Sequence, residues 1–193
     1  MASSGLIRWG GIAAVAAGLV YIVLVLSGPA VAGGSLFAST LGVVAFSFAI
    51  LAQLVATTGL HALQREHYGR LGATGFWVTF VGFVLWLVGF VSVNGVGVTA
   101  GGVLEFFLGF GILGALVGLV LLGIATLRAR LLPSWFGVLL SVGFPATAVL
   151  VGLQLSVVGF AAFGLLWLVT GYVLLSSRST HTHTHTQLYE RVR

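Results

Sequence analysis

The chain has 193 residues, of which 59% are hydrophobic and only 6% charged, with a formal net charge of +5 and a mean hydropathy of +1.19. That composition excludes a soluble globular domain and puts the chain in the membrane class. Lys and Cys are both absent, which excludes a retinal Schiff base, structural disulfides, thiolate metal sites, iron–sulfur clusters and c-type haem attachment.

No charged side chain occurs from Trp9 to Gln64, or again from Leu131 to Ser177. About 20 apolar residues cross the roughly 30 Å hydrocarbon layer, so each stretch holds more than one span. Apolar runs between turn signals predict an all-α polytopic transmembrane bundle of six helices, at about 9–27, 37–58, 72–93, 104–127, 134–152 and 157–176. The lipid bilayer is the partner this implies.

Span one presents Gly11, Ala14 and Gly18 on one face. It ends at a breaker cluster running from Gly28-Pro29 to Gly34-Ser35. Ala30-Val31-Ala32 in this cluster resembles a signal-peptidase site. The apolar stretch before it is longer than the 7–15 residues of a signal peptide, so an uncleaved helix is expected. Span two carries Gln53 and Thr57 at i, i+4, with Thr58 beside them. Such groups either bond a neighbouring helix or their own backbone, or line a solute path. His61 and His67 then flank Arg65-Glu66 in the loop expected before span three.

In span three, Gly75, Gly82 and Gly89 recur every seven residues and share a face. Span four opens with Glu105, the only acid near a span. Its carboxylate either complements the helix dipole at the water interface or accepts a proton or cation from outside. Gly111, Gly114, Ala115 and Gly118 make a smooth face further along. These small-residue faces suit close helix packing, within the chain or against a second copy. Pro145 should kink span five. The last hairpin is divided at Gly152, Gln154 and Ser156. After residue 178 a short tail alternates His181, His183 and His185 with Thr, which reads as disordered low-complexity sequence or as a weak divalent-metal binder.

The basic residues are all Arg. Arg8, Arg65, Arg70, Arg128, Arg130, Arg178, Arg191 and Arg193 all fall on one side of a six-span weave. The positive-inside rule puts that side, and both termini, in the cytoplasm. The pI near 10.8 therefore reports topology, and no nucleic-acid partner is expected.

Two pairs of spans share wording. Gly11-Ile12 and Gly18-Leu19-Val20 recur as Gly111-Ile112 and Gly118-Leu119-Val120, while Leu85-Trp86-Leu87-Val88 recurs as Leu166-Trp167-Leu168-Val169. Pairing spans one with four and three with six fits a three-plus-three inverted repeat, as found in secondary transporters. A rival alignment compares the hairpins through Gly59-Leu60 and Gly123-Ile124.

Arg8-Trp9-Gly10-Gly11, Gly69-Arg70-Leu71-Gly72 and the run Leu132-Pro133-Ser134-Trp135-Phe136-Gly137-Val138-Leu139-Leu140 are also informative. Together they resemble a loose group of small multi-pass membrane proteins of high-GC bacteria, actinobacteria and their relatives. The resemblance implies a cytoplasmic-membrane location and a six-helix bundle, and it implies no activity.

Two functional classes follow. The first is a small carrier for a neutral or lipophilic solute, with Gln53, Thr57, Glu105 and Pro145 as the solute-path candidates. The second is a non-catalytic accessory or assembly subunit that meets another membrane protein, or a copy of itself, through Gly11, Gly18, Gly75, Gly82, Gly89, Gly111, Gly114 and Gly118. The spans hold no acid–base or metal constellation, so no enzyme, cofactor or metal centre is expected.

Overall fold

The computed structural model describes residues 4–27, 39–95 and 102–177. Among them it forms six α-helices and no strand: α1 Ser4–Leu26, α2 Thr40–Gln64, α3 Gly69–Asn94, α4 Val103–Ala129, α5 Ser134–Gly152 and α6 Ser156–Ser176. Each is long and apolar enough to cross a membrane. Helices are the form such runs must take, because hydrocarbon offers no water to satisfy backbone N–H and C=O groups. The result is the build of a multi-pass integral membrane protein.

Local chemistry sets the helix ends. The Ser39 hydroxyl accepts the Gly42 N–H at 3.1 Å and caps α2. Gly69, with φ +62°, starts α3 in a left-handed turn. Two non-glycine residues take the same conformation at breaks, Arg130 after α4 and Gln154 between α5 and α6. The break between α5 and α6 therefore falls at residues 153–155, with Gly152 still helical. Helix α2 runs on to Gln64, so His61 stands in its last turn and not in the loop where the sequence had suggested it. Nothing between Thr58 and Gln64 breaks a helix except Gly59, and that glycine is occupied in packing. The Gly28–Ser35 cluster with its Ala30-Val31-Ala32 motif and the His/Thr tail lie outside the described residues.

Consecutive helices pack side by side, and α6 returns to α1, closing a ring in chain order; α2 also touches α6. The closest seam is α3 on α4. A Cβ at Gly75 would stand 2.7 Å from the Leu122 amide nitrogen. One at Gly82 would collide with Ala115, and one at Gly89 with Leu108. From the other side, Gly111 lies on Trp86, Gly118 on Thr79, and a Cβ at Gly114 would reach 3.2 Å from the Gly82 Cα. The α1–α6 seam is built alike. Gly11 lies on Leu174 and Leu175, and a Cβ at Gly18 would come within 2.6 Å of the Gly164 carbonyl oxygen. Gly10 and Gly59 meet backbone to backbone across α1 and α2.

These contacts also fix the ends. The start of α1 lies beside the ends of α2 and α6, and the end of α4 beside the starts of α3 and α5. Arg8, Arg65, Arg70, Arg128 and Arg130 thus share one end of the bundle, called the arginine end below. The words repeated between helices do not share a register. Gly111 faces Trp86, whereas Gly11 faces Leu175 and not Trp167.

The seam makes a differential prediction. Gly82→Leu forces the α3 and α4 backbones apart and should lower stability by about 2 kcal/mol or more. Gly109→Leu, on the same pair of helices but with nothing within 4 Å of its Cβ position, should change it little. Thermal unfolding of the two variants in one detergent, followed by tryptophan fluorescence, checks this; equal stability would show that the seam is not tight.

Candidate functional site

Aromatic rings fill the interior. Tyr21, Phe46, Phe83, Trp86, Phe90, Phe144, Phe163 and Trp167 are all buried. They meet across the ring of helices: Phe83 of α3 reaches Trp167 of α6 at 6.0 Å between ring centroids, and Trp86 of α3 reaches Phe144 of α5 at the same distance. Against this apolar filling, the buried polar side chains are Gln53, Thr57, Gln64, Thr79, Thr126, Thr147 and Thr170. Among the described residues none of the buried side chains is charged.

The threonines are satisfied locally. Thr57 donates to the Gln53 carbonyl at 2.7 Å, and Thr79, Thr147 and Thr170 likewise bond carbonyls one turn back. This is the ordinary way a hydroxyl survives inside an apolar helix. The glutamines differ. Gln53 Nε2 donates to the Tyr21 hydroxyl at 2.9 Å, joining α2 to α1. Its Oε1 has no hydrogen-bond partner among the described residues. The Thr126 hydroxyl shares its one hydrogen between the Leu122 carbonyl at 2.8 Å and Gln64 Oε1 at 3.0 Å, tying α2 to α4, which are not neighbours in the ring. Gln64 Nε2 and Trp167 Nε1 have no partner among the described residues either.

Gln53, Thr57, His61 and Gln64 are spaced by four, four and three residues, so they lie along one face of α2. That polar face runs from the middle of the helix to its arginine end. There, a cleft of about 820 Å³ opens among Leu63, His67, Leu132, Trp135, Tyr172 and Ser176. Leu63 and His67 bracket Gln64 in sequence. The His61 ring stacks on Phe76 at 4.0 Å, and its Nδ1 pairs with the Tyr68 hydroxyl. Burial pushes the Tyr68 phenol well above its ordinary value, so it stays protonated beside the imidazole. The adjacent Arg65–Glu66 pair is exposed, at 3.9 Å, and adds little.

Of the four sequence candidates, only Gln53 and Thr57 are brought together, both inside the bundle. Glu105 is exposed in the first turn of α4, at the far end from the arginines. There it borders a shallow depression of about 380 Å³ with Phe106 and Phe110. Pro145 sits inside α5, between Phe144 and Thr147. The eight packing glycines all lie at helix–helix seams. Tyr21, Gln64, Thr126 and Trp167 were not singled out from the sequence. Gln64 could have been, since it continues the Gln53–Thr57 face; the others show no signal in a chain so rich in aromatic and small residues.

Comparison with protein-family models, with curated proteins and with solved structures finds no match. Fold and site together define the class: a six-helix multi-pass membrane protein with an apolar interior and one polar helix face.

The Tyr21–Gln53 bond can be tested by a double-mutant cycle. Tyr21→Phe and Gln53→Leu each leave a buried group unpaired and should destabilise the protein by about 1–3 kcal/mol. The double variant removes both partners and should cost less than the sum of the two. Thermal unfolding measures all three; simple additivity would mean the bond does not form.

Proposed function

We propose that the protein is a small carrier for a neutral or lipophilic solute. One observation carries this reading: Gln53 Oε1, Gln64 Nε2 and Trp167 Nε1 are buried without partners among the described residues. An unpaired polar atom in such surroundings costs about 1–3 kcal/mol and is worth retaining where a solute or water completes its bonding. Two of the three belong to the polar face of α2, whose end lies beside the large cleft. The solute is neutral because no buried charge among the described residues would match an ion. On the positive-inside rule the arginine end is cytoplasmic, so the path opens inward to the cytoplasm. A three-plus-three inverted repeat would suit alternating access. The closed ring, in which α3–α4 and α6–α1 are both glycine-rich seams, supports it, while the unequal registers of the matched words weigh against it.

The alternative is an accessory subunit. It is favoured by the uncovered far end of α4, where exposed Phe106 and Phe110 stack at 5.9 Å beside Glu105.

The chain contains no cysteine, so single cysteines report access cleanly. Gln53→Cys, Thr57→Cys and Gln64→Cys in sealed vesicles should react with 2-aminoethyl methanethiosulfonate added on the arginine side. Leu51→Cys and Val55→Cys, on the exposed face of the same helix, should not. Unreactive cysteines at 53 and 57 from either side would sink the carrier reading. Native mass spectrometry from native-lipid nanodiscs addresses the alternative, which requires a stoichiometric second protein.

A further inference from the structure

We propose that the cavity between α3, α4, α5 and α6 is a binding site for one neutral aromatic ring bearing a hydroxyl, a phenol-type group on a membrane-soluble molecule. The cavity holds about 190 Å³ and is walled by Trp86, Phe144, Phe160 and Phe163, with Ile112 and Thr147. It lies toward the end of the bundle away from the arginines; the Tyr21 ring stands between Gln53 of the polar face of α2, to which it bonds, and Phe163 of the cavity wall. As the seat of the solute's apolar part, it rests on the carrier reading. As a binding site it stands without it.

Size comes first. An enclosed apolar cavity of about 150 Å³ accommodates benzene, so this half-open one has room for a single ring with a small substituent. Shape narrows the guest further. Phe144 and Phe163 stand 4.9 Å apart at 29°, and Trp86 faces Phe144 at 6.0 Å and 32°. The wall is thus rich in aromatic rings, against which an aromatic guest finds offset or edge-to-face contacts. A lipid acyl chain finds no such gain, because leaving the bilayer for this cavity exchanges one hydrocarbon environment for another.

Polarity chooses the substituent. Among the lining residues the side-chain hydrogen-bonding groups are the Thr147 hydroxyl and the Trp86 indole N–H. The Thr147 hydroxyl spends its hydrogen on the Phe144 carbonyl at 2.7 Å, leaving oxygen lone pairs that accept. A ring hydroxyl can donate there, and no charged side chain lines the cavity to hold an ion. Pro145 lies in α5 between Phe144 and Thr147, two residues that line the cavity. Its missing N–H leaves the Ser141 carbonyl without its helical donor, so α5 bends more readily beside the cavity.

Photolabelling of the purified protein in lipid nanodiscs with 4-azidophenol, followed by peptide mass mapping, tests the site. Adducts should concentrate on the segments 144–151 and 159–163. Phenol should compete them away more strongly than toluene, and dodecane should not compete. Ala148→Phe, which fills the cavity, should lose the labelling. Thr147→Val, a milder change should that variant fail to fold, should make phenol and toluene equal competitors. Adducts spread evenly over exposed helix faces would overturn the proposal, as would competition by dodecane equal to that by phenol. Labelling here with unreactive cysteines at 53 and 57 would leave a ring site without a path; reactive cysteines with no focused labelling would leave a path whose solute is not a phenol.

Discussion

Helices surrounded by hydrocarbon gain nothing by hiding apolar side chains from their surroundings, since a lipid tail is as apolar as leucine. What holds them together is contact: backbones close enough for dispersion to accumulate over many atoms. That constraint explains the 29 glycines better than any turn preference does. Gly75, Gly82 and Gly89 of α3 lie on α4, while Gly111, Gly114 and Gly118 of α4 lie on α3, so neither helix presents a side chain that would hold the other off. Gly11, Gly18, Gly164 and Gly171 do the same where α6 closes on α1.

Once the backbones are drawn together at the seams, larger side chains are directed to the middle. Aromatic rings from α1, α2, α3, α5 and α6 interlock there. Rings are stiff and fill space with few rotatable bonds, so the interior is packed without much loss of side-chain freedom. It is also where a polar atom matters most. A hydroxyl can turn back to its own helix, as Thr57 and Thr79 do. A glutamine carboxamide has donors and an acceptor to satisfy and cannot place all of them on one neighbour. Gln53 and Gln64 therefore join α2 to α1 and to α4, and each is still left with one atom unpaired among the described residues.

The bundle is also polarised along its axis. Five described arginines, the His61–Tyr68 pair and the large cleft gather at one end. The aromatic cavity and the exposed Phe106 and Phe110 lie toward the other. The cleft and the aromatic cavity thus lie toward opposite ends, with buried rings between them.

Much of this was open to inspection in the sequence. Hydropathy alone marks six membrane-long helices, because the cost of an unsatisfied backbone in lipid is the same whatever the helix packs against. The seven-residue spacing of Gly75, Gly82 and Gly89 marks a face, since helical periodicity is local. Gln53 and Thr57 stand out as polar residues in an apolar run. Which helix each face would meet depended on the closure of the ring, and that is a property of all six helices at once. The last turn of α2, with His61 and Gln64, lay past the end expected for span two at about residue 58. Tyr21, Thr126 and Trp167 were invisible for a different reason: in a chain so rich in apolar, aromatic and small residues, nothing local separates a ring or hydroxyl that meets a glutamine or stands unpaired from one that only packs. The sequence determined the helices and their polar exceptions; tertiary structure decided the partners, because hydrogen bonds and steric contact act over a few ångströms between residues far apart in the chain, the Gln64–Thr126 bond and the Gly11–Leu175 contact being set by the closed ring.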